Sequence, residues 1–191
     1  MNPTSLNEQI SFIREVEKLK GVNRANRTVD GRYENSAEHS WHVALMALLL
    51  EEHANHPIDM LKVVKLLLIH DIVEIDAGDT WLYETNQESK LDAETKAADR
   101  LFSLLPSDQK EEYLNLWNEF ENRLSEEAKF ASAIDGIQPL LNHLLTGNPE
   151  DGIIPVEKVW SKKKYINEYA PKLWGLVEEL IVESKSKGLY E

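Results

Sequence analysis

LKVVKLLLIHDIVE, residues 61–74, is the stretch whose reading decides the fold. From Asp59 through Val73 the chain is apolar on nearly every side of a helix, with Leu61, Val63, Val64, Leu66, Leu67, Leu68 and Ile69. Its length and leucine content favour a buried central helix over a strand. The stretch then ends in His70 and Asp71, just before a Gly78-Asp79 turn. A carboxylate at the end of an interior segment needs a partner, because a desolvated, unpaired charge costs many kcal/mol.

Helices are predicted on both sides of this centre. The first starts near Ser5, where Ser5 and Glu8 have capping-box spacing, repeats Leu6, Ile10, Val16 and Leu19 at helical period, and ends near Gly21. Residues 21–35, GVNRANRTVDGRYEN, lack apolar periodicity and read as an ordered but irregular loop. Ser36 caps a second helix running to about Glu52, with Val43, Met46, Ala47 and Leu50 on its buried face and His39 and His42 in its first turns. After the central segment, helices are expected at about 84–105, 107–123 and 125–146, the last capped by Ser125 and carrying Asp135 in its middle. Residues 147–155 form a loop, and two C-terminal helices follow over about 153–187, the second starting near Pro171. No repeat, low-complexity tract or linker interrupts the chain. The expectation is an all-α, single-domain helical bundle.

Composition narrows the function classes. The 191 residues suffice for one domain with a real core, and 42% hydrophobic with 29% charged residues is an ordinary globular balance. No window holds the roughly 18 apolar residues of a membrane span, and MNPTSLNEQI lacks a signal-peptide pattern, so a cytoplasmic protein is expected. With no cysteine, any metal is held through nitrogen and oxygen. A net charge of −13 disfavours a nucleic-acid polymer or an anionic membrane as partner. Arg14, Lys18, Lys20, Arg24, Arg27 and Arg32 form a basic N-terminal cluster that fits either a solvated face or a local seat for a small phosphorylated ligand.

Asp71 follows an apolar stretch, Asp135 sits in FASAIDGIQPLL with no adjacent base, and a bound divalent cation would compensate both. On a helix Glu74 lies beside His70 (i, i+4) and Asp71 (i, i+3), so one site could hold all three. A mixed imidazole and carboxylate set suits Mn, Fe, Co, Ni or Zn better than Ca or Mg. Taken alone, a His-Asp pair is also what a helix-end cap or ion pair looks like. Pro139 removes the N–H that would bond the Asp135 carbonyl, so a kink is expected there, whether to re-aim Asp135 or as a packing irregularity.

The ordered series His39 (in SAEHS), His70-Asp71 (in LLIHDIVE) and Asp135 (in FASAID) resembles the signature of HD-domain metal-dependent phosphohydrolases. The stretches NR at 23–24, EHS at 38–40, HDIVE at 70–74, GD at 78–79 and EEAKFASAID at 126–135 are similar to the 5′-deoxynucleotidase subgroup, over roughly residues 8–146. The resemblance implies one divalent metal on His39, His70, Asp71 and Asp135, and a deoxynucleoside 5′-monophosphate as substrate. It places Arg24 where the subgroup orients the phosphate, and Glu74 and Asp79 as two further active-site acids. Substrate contacts would come from Arg24, Ala25, His39, Asp71, Asp79, Thr80, Trp81, Leu82 and Asp135. Ala25 stands where bacterial members carry a tryptophan. Homodimers are usual in the resembled family, and the apolar C-terminal helices are expected to cover the core or form that interface.

The implied chemistry agrees with the residues: metal-activated water, Glu74 to orient or deprotonate it, Arg24 on the phosphoryl oxygens, and Asp79 on the sugar or the leaving 5′ oxygen. A guanosine-tetraphosphate hydrolase shares the HD pair but often has consecutive acids after it, where Ile75 follows Glu74 here. A non-catalytic metal- or nucleotide-binding sensor has no use for a water-activating carboxylate. His42, one turn after His39, reads as a surface or core histidine or as a neighbour supporting the metal ligands, His53 suits a helix C-terminus, and Asp76 (a loop residue rather than a ligand), His56 and His143 have no assigned role in the site.

Overall fold

The computed structural model describes residues 3–80, 87–149 and 153–191. Helix α1 (Pro3–Val16) begins two residues before Ser5, with proline in its first turn where no N–H is needed, and tightens into a 3-10 turn over Glu17–Gly21. Residues 21–35 are not an irregular loop throughout: β1 (Asn23–Arg27) and β2 (Tyr33–Asn35) pair antiparallel. The strands are too short and too polar to show a period of two. They are held by docking, since Asn26 donates to the Pro139 carbonyl (3.3 Å) and the Thr146 hydroxyl to the Arg27 carbonyl (2.9 Å).

Helix α2 (Ser36–Leu49) is capped by Asn35, not Ser36: the Asn35 side chain accepts from the Glu38 N–H and Glu38 accepts from the Asn35 N–H. Arg32 clamps the same Glu38 carboxylate at 2.8 and 2.7 Å. The Ser36 hydroxyl is thereby released for a different partner, Glu74.

Helix α3 (Met60–Ile69) starts at Asp59, whose carboxylate accepts from Leu61 and Lys62. Val63, Leu66, Leu67 and Ile69 are buried, but Leu61 and Leu68 face outward at 66% and 47% exposure, so the segment is central without being enclosed. The predicted single helix to Val73 is broken. His70–Val73 forms a 3-10 turn, the short α4 (Glu74–Ala77) follows, and Gly78 ends it at φ +76°, which favours glycine.

Helices α5 (Gln87–Phe102), α6 (Ser107–Asn122) and α7 (Glu126–Thr146) follow the predicted order. Arg123 in the left-handed conformation turns the chain after α6, and the Ser125 hydroxyl accepts from the Ala128 N–H as its cap position requires. Helix α7 is the core element, with Phe130, Ile134, Ile137 and Leu140 buried, and it packs on α2 and α3. The C-terminal part has α8 (Val156–Lys163), a short α9 (Tyr165–Tyr169), a 3-10 turn at Pro171–Leu173 and α10 (Trp174–Ser186). Val177 and Ile181 of α10 are buried and the helix lies on α7, while Ile154 and Tyr190 pair in parallel, tying the C-terminus to the start of α8.

One contact makes a glycine necessary next to a predicted ligand. The Tyr165 hydroxyl donates to the Ser132 carbonyl (3.1 Å) and lies where a Cβ on Gly136 would be. Gly136→Ala is therefore expected to lower stability by about 1–3 kcal/mol, despite the better helix propensity of alanine. Urea unfolding checks this; a variant as stable as the parent would mean that Tyr165 yields freely.

Candidate metal centre and cleft

Three elements bring the predicted ligands together. His39 comes from the second turn of α2, His70 and Asp71 from the 3-10 turn after α3, and Asp135 from the middle of α7. Ligand atoms of His39, His70 and Asp135 lie within 4.8 Å of one another. His39 Nε2 is 2.8 Å and His70 Nε2 3.6 Å from the same oxygen, Asp135 Oδ1. Asp71 reaches the centre from the side, with Oδ1 3.0 Å from His70 Nε2 and Oδ2 3.9 Å from His39 Nε2. Its Oδ2 also accepts from Arg24 Nη1 at 2.8 Å.

The rear nitrogens of both imidazoles are fixed. His70 Nδ1 donates to the Leu67 carbonyl (2.8 Å), and His39 Nδ1 donates to Gln138 Oε1 (3.0 Å). Both Nε2 atoms therefore point to the centre, the arrangement metal-ligating histidines adopt. Gln138 is held in turn by donating to Glu34 Oε1 (2.9 Å), and its amide nitrogen lies 3.3 Å from His42 Nδ1. Gln138 and Glu34 escaped the sequence analysis. Gln138 lies three residues after Asp135 on α7, so its spacing was an available signal, whereas Glu34, on β2, left none.

A divalent cation fits this donor set. His70 Nε2 is buried and makes no hydrogen bond, although two carboxylates face it, as a nitrogen does whose lone pair is reserved for a metal. The charges around it agree. Burial alone would lower the His70 pKa, but the Asp71 charge and contacts with Asp135 outweigh it and hold it well above its usual range. Burial would likewise raise Asp71 and Asp135. The charges of His70 and Arg24 pull Asp71 down to about 2, and the His39 contact together with the facing His70 imidazole holds Asp135 well below the carboxylate range. The site thus demands positive charge, which a metal supplies more compactly than a protonated His70.

The remaining predicted residues ring a cleft of about 430 Å³ beside this centre. Glu74 Oε2 accepts from the Ser36 hydroxyl at 2.5 Å, and burial, then the Asp71 charge, push Glu74 up to about 9. Arg24 stands 3.9 Å from both Glu74 and Asp79, and although burial opposes its charge, the acids Asp71, Glu74, Asp79 and Asp135 raise its pKa. Ala25 and Thr80 line the cleft with Arg24, Asp71, Asp79 and Asp135, while His39 is buried behind it. Trp81 and Leu82 lie outside the described residues. Of the basic cluster, Arg24 turns into the site, whereas Lys18, Lys20 and Arg32 pair with Glu15, Glu17 and Glu38 on the surface.

The groups without an assigned role divide. Asp76 is paired with Arg100, and His56 is an exposed neighbour of Glu126. His143 stacks on Tyr190 and lines the cleft, as do Lys90, Glu94 and Glu121 from the opposite side. Burial and the nearby Glu94 push Glu121 up to about 7.

A helical bundle that gathers two imidazoles and two carboxylates, from three separate elements, around one point beside a cleft defines the class: an all-α domain built around a divalent-metal centre. The chain belongs to the HD domain family, whose sequence profile matches residues 16–174. A solved structure from Magnetospirillum magnetotacticum MS-1, described as a "predicted metal-dependent phosphohydrolase", is 42% identical, covers 98% of both chains and superposes with a TM-score of 0.90. The 5′-deoxynucleotidase HDDC2 of Bos taurus is 34% identical over 137 residues, 69% of this chain and 64% of the relative. Its human counterpart is 32% identical over 136 residues, covering 69% and 65%. The chain thus spans a little under two thirds of the length of these curated relatives. An HD-domain phosphohydrolase from Listeria innocua, 20% identical with a TM-score of 0.62, shares the fold. Among the described residues no helix is long and apolar enough to cross a membrane.

Proposed function

We propose that this chain is a metal-dependent phosphomonoester hydrolase, a 5′-nucleotidase that converts deoxyribonucleoside 5′-monophosphates to nucleoside and phosphate. The observation that carries the reading is the placement of Arg24, bound to Asp71 at 2.8 Å and within 3.9 Å of Glu74 and Asp79. A phosphate-binding cation, a ligand carboxylate and two further acids meet at one wall of the cleft. The relatives named as 5′-deoxynucleotidases, and the phosphohydrolase with which the chain shares its whole length, support the same class.

His39, His70, Asp71 and Asp135 would hold one divalent transition metal, Mn, Co, Fe, Ni or Zn. When bound it supplies Lewis acidity, neutralising phosphate charge and acidifying water. The chain's own groups do the rest. Arg24 donates to the equatorial phosphoryl oxygens, where charge develops as the P–O bond breaks. Glu74 accepts the proton of the attacking water through its carboxylate, whose other oxygen Ser36 fixes. Added positive charge beside Asp71 lowers the Glu74 pKa from its raised value, so the carboxylate is available as a base near neutrality. Asp79 contacts the sugar or protonates the leaving 5′ oxygen. Ala25 leaves open the wall where subgroup members place a tryptophan, so the base and sugar preference is set by the other lining residues.

Metal-stripped protein reconstituted with Mn, Co, Zn or Mg, and assayed for phosphate release from ribo- and deoxyribonucleoside monophosphates with guanosine tetraphosphate alongside, tests this reading. Turnover of deoxyribonucleoside monophosphates with a transition metal is expected. No phosphate from any monophosphate under any metal would overturn it.

We propose further that the protein works in the cytoplasm as a homodimer. Trp41, Leu45, Leu48 and Leu49 recur along one side of α2 and stay exposed, at 63%, 39%, 51% and 71%. A single copy leaves this stripe in water, and a second copy would cover it. Sedimentation at micromolar concentration should show a dimer, and a monomer there removes this part of the proposal.

A further inference from the structure

Lys163 occupies a core position. The buried side of α8 is Val156, Val159 and Lys163, an i, i+3, i+7 register that calls for an apolar residue where the lysine stands. Only 4% of Lys163 is exposed, and among the described residues nothing forms an ion pair or hydrogen bond with its ammonium. The side chain lines the cleft together with Asp135 and Arg24. Those two are the charges it feels: Asp135 attracts it and Arg24 repels it, while burial pushes its pKa down to about 8. A lysine with a buried stem and no ion pair for its ammonium is unfavourable in the folded protein, and methionine would fill the same space at less cost. Acids line the cleft as well, but Arg24 and Lys163 repel one another within it, and an anion that enters between them offsets that repulsion.

We propose that Lys163 is a second phosphate-contacting residue, its ammonium donating to an oxygen of the same phosphomonoester dianion that Arg24 engages. The inference rests on the reading that this cleft takes a phosphomonoester, and it assigns the C-terminal part of the chain a direct share in the substrate site. The dianion offers the ammonium the ion pair it lacks among the described residues, and lysine serves as a point-charge partner for phosphate.

Inorganic phosphate is the probe, titrated calorimetrically into protein loaded with one equivalent of Co²⁺, for the parent, Lys163→Met and Lys163→Arg. Lys163→Met is expected to bind phosphate at least about ten-fold more weakly and Lys163→Arg within about three-fold of the parent, both with parental cobalt content. In phosphate-free buffer Lys163→Met should melt no lower than the parent, because it removes a buried unpaired charge; with nucleotide its KM should rise more than its kcat falls. Phosphate affinity in Lys163→Met within two-fold of the parent overturns the inference. Loss of cobalt or a lower melting temperature in phosphate-free buffer also overturns it, by making Lys163 a structural residue. Lysine-dependent phosphate binding without any monophosphate turnover would uphold this inference and sink the nucleotidase reading alone.

Discussion

Asp135→Ala protein is expected to fold, to retain less than about a tenth of the parent's metal after dialysis, and to release phosphate more than about 100-fold more slowly. The reason is the position of one atom. Asp135 Oδ1 is the oxygen that both imidazoles face, 2.8 Å from His39 Nε2 and 3.6 Å from His70 Nε2. Asp71 does not replace it, because one of its oxygens is already shared with Arg24. Removing Asp135 leaves two imidazoles and one committed carboxylate, a set short of both ligands and negative charge for a divalent ion. Elemental analysis of the dialysed variant gives the answer. Parental metal content in Asp135→Ala would mean that the centre lies elsewhere in the cleft.

Glu74→Gln should do the opposite with the metal and the same with the chemistry. The amide keeps the size of the side chain and an oxygen for the Ser36 hydroxyl, so the packing around Asp71 is preserved. It cannot take a proton from water, and kcat is expected to fall by about 10²–10⁴-fold with metal content unchanged. Near-normal turnover of metal-loaded Glu74→Gln would take Glu74 out of the reaction. The same variant has a signature in metal-stripped protein. Glu74 is raised from 4.5 to about 9 in the fold, so between those values the folded state holds a proton that the unfolded state has released. Stability from this group is therefore present below the unfolded value and lost as pH rises through the window. Glutamine does not titrate. Metal-free Glu74→Gln should melt above the parent at about pH 8, with the gap narrowing toward about pH 5. Equal pH profiles of the two melting temperatures would count against the buried, proton-holding state of Glu74.

The parts of the fold that were legible in the sequence are those whose signal is local. Ser125 three residues before Ala128, and the apolar spacing of Phe130, Ile134 and Ile137, specify a helix start and a buried face by themselves. The cap of α2 was not legible to the same degree, because Asn35 and Ser36 are both good capping residues. Their division of labour is decided by Glu38 in the next turn and by Glu74, which is 38 residues away in the chain. The hairpin at 23–35 left no signal at all. Its strands carry no alternating apolar residues, and its place is set by hydrogen bonds to α7 more than a hundred residues on.

The site divides in the same way. The need of buried ionisable groups for compensation is visible in one dimension, but by itself it left a helix-end cap or ion pair open for His70 and Asp71; the ordered set with His39 and Asp135 pointed to a metal through its resemblance to a family. The stretch 61–74 determined a central helix ending in His70 and Asp71. Tertiary structure decided that this helix gives way to a 3-10 turn from His70, and that His70 holds Nδ1 on the Leu67 carbonyl with Nε2 turned inward. It also decided that Gln138 and Glu34 stand behind His39, that Arg24 alone of the basic cluster enters the cleft, and that Lys163 lines it with no ion pair among the described residues. Apolar periodicity and ligand identity are properties of neighbouring residues along the chain. The pairing of a polar group is a property of whatever the packed helices bring within about 3 Å of it, and the chain alone does not state that distance.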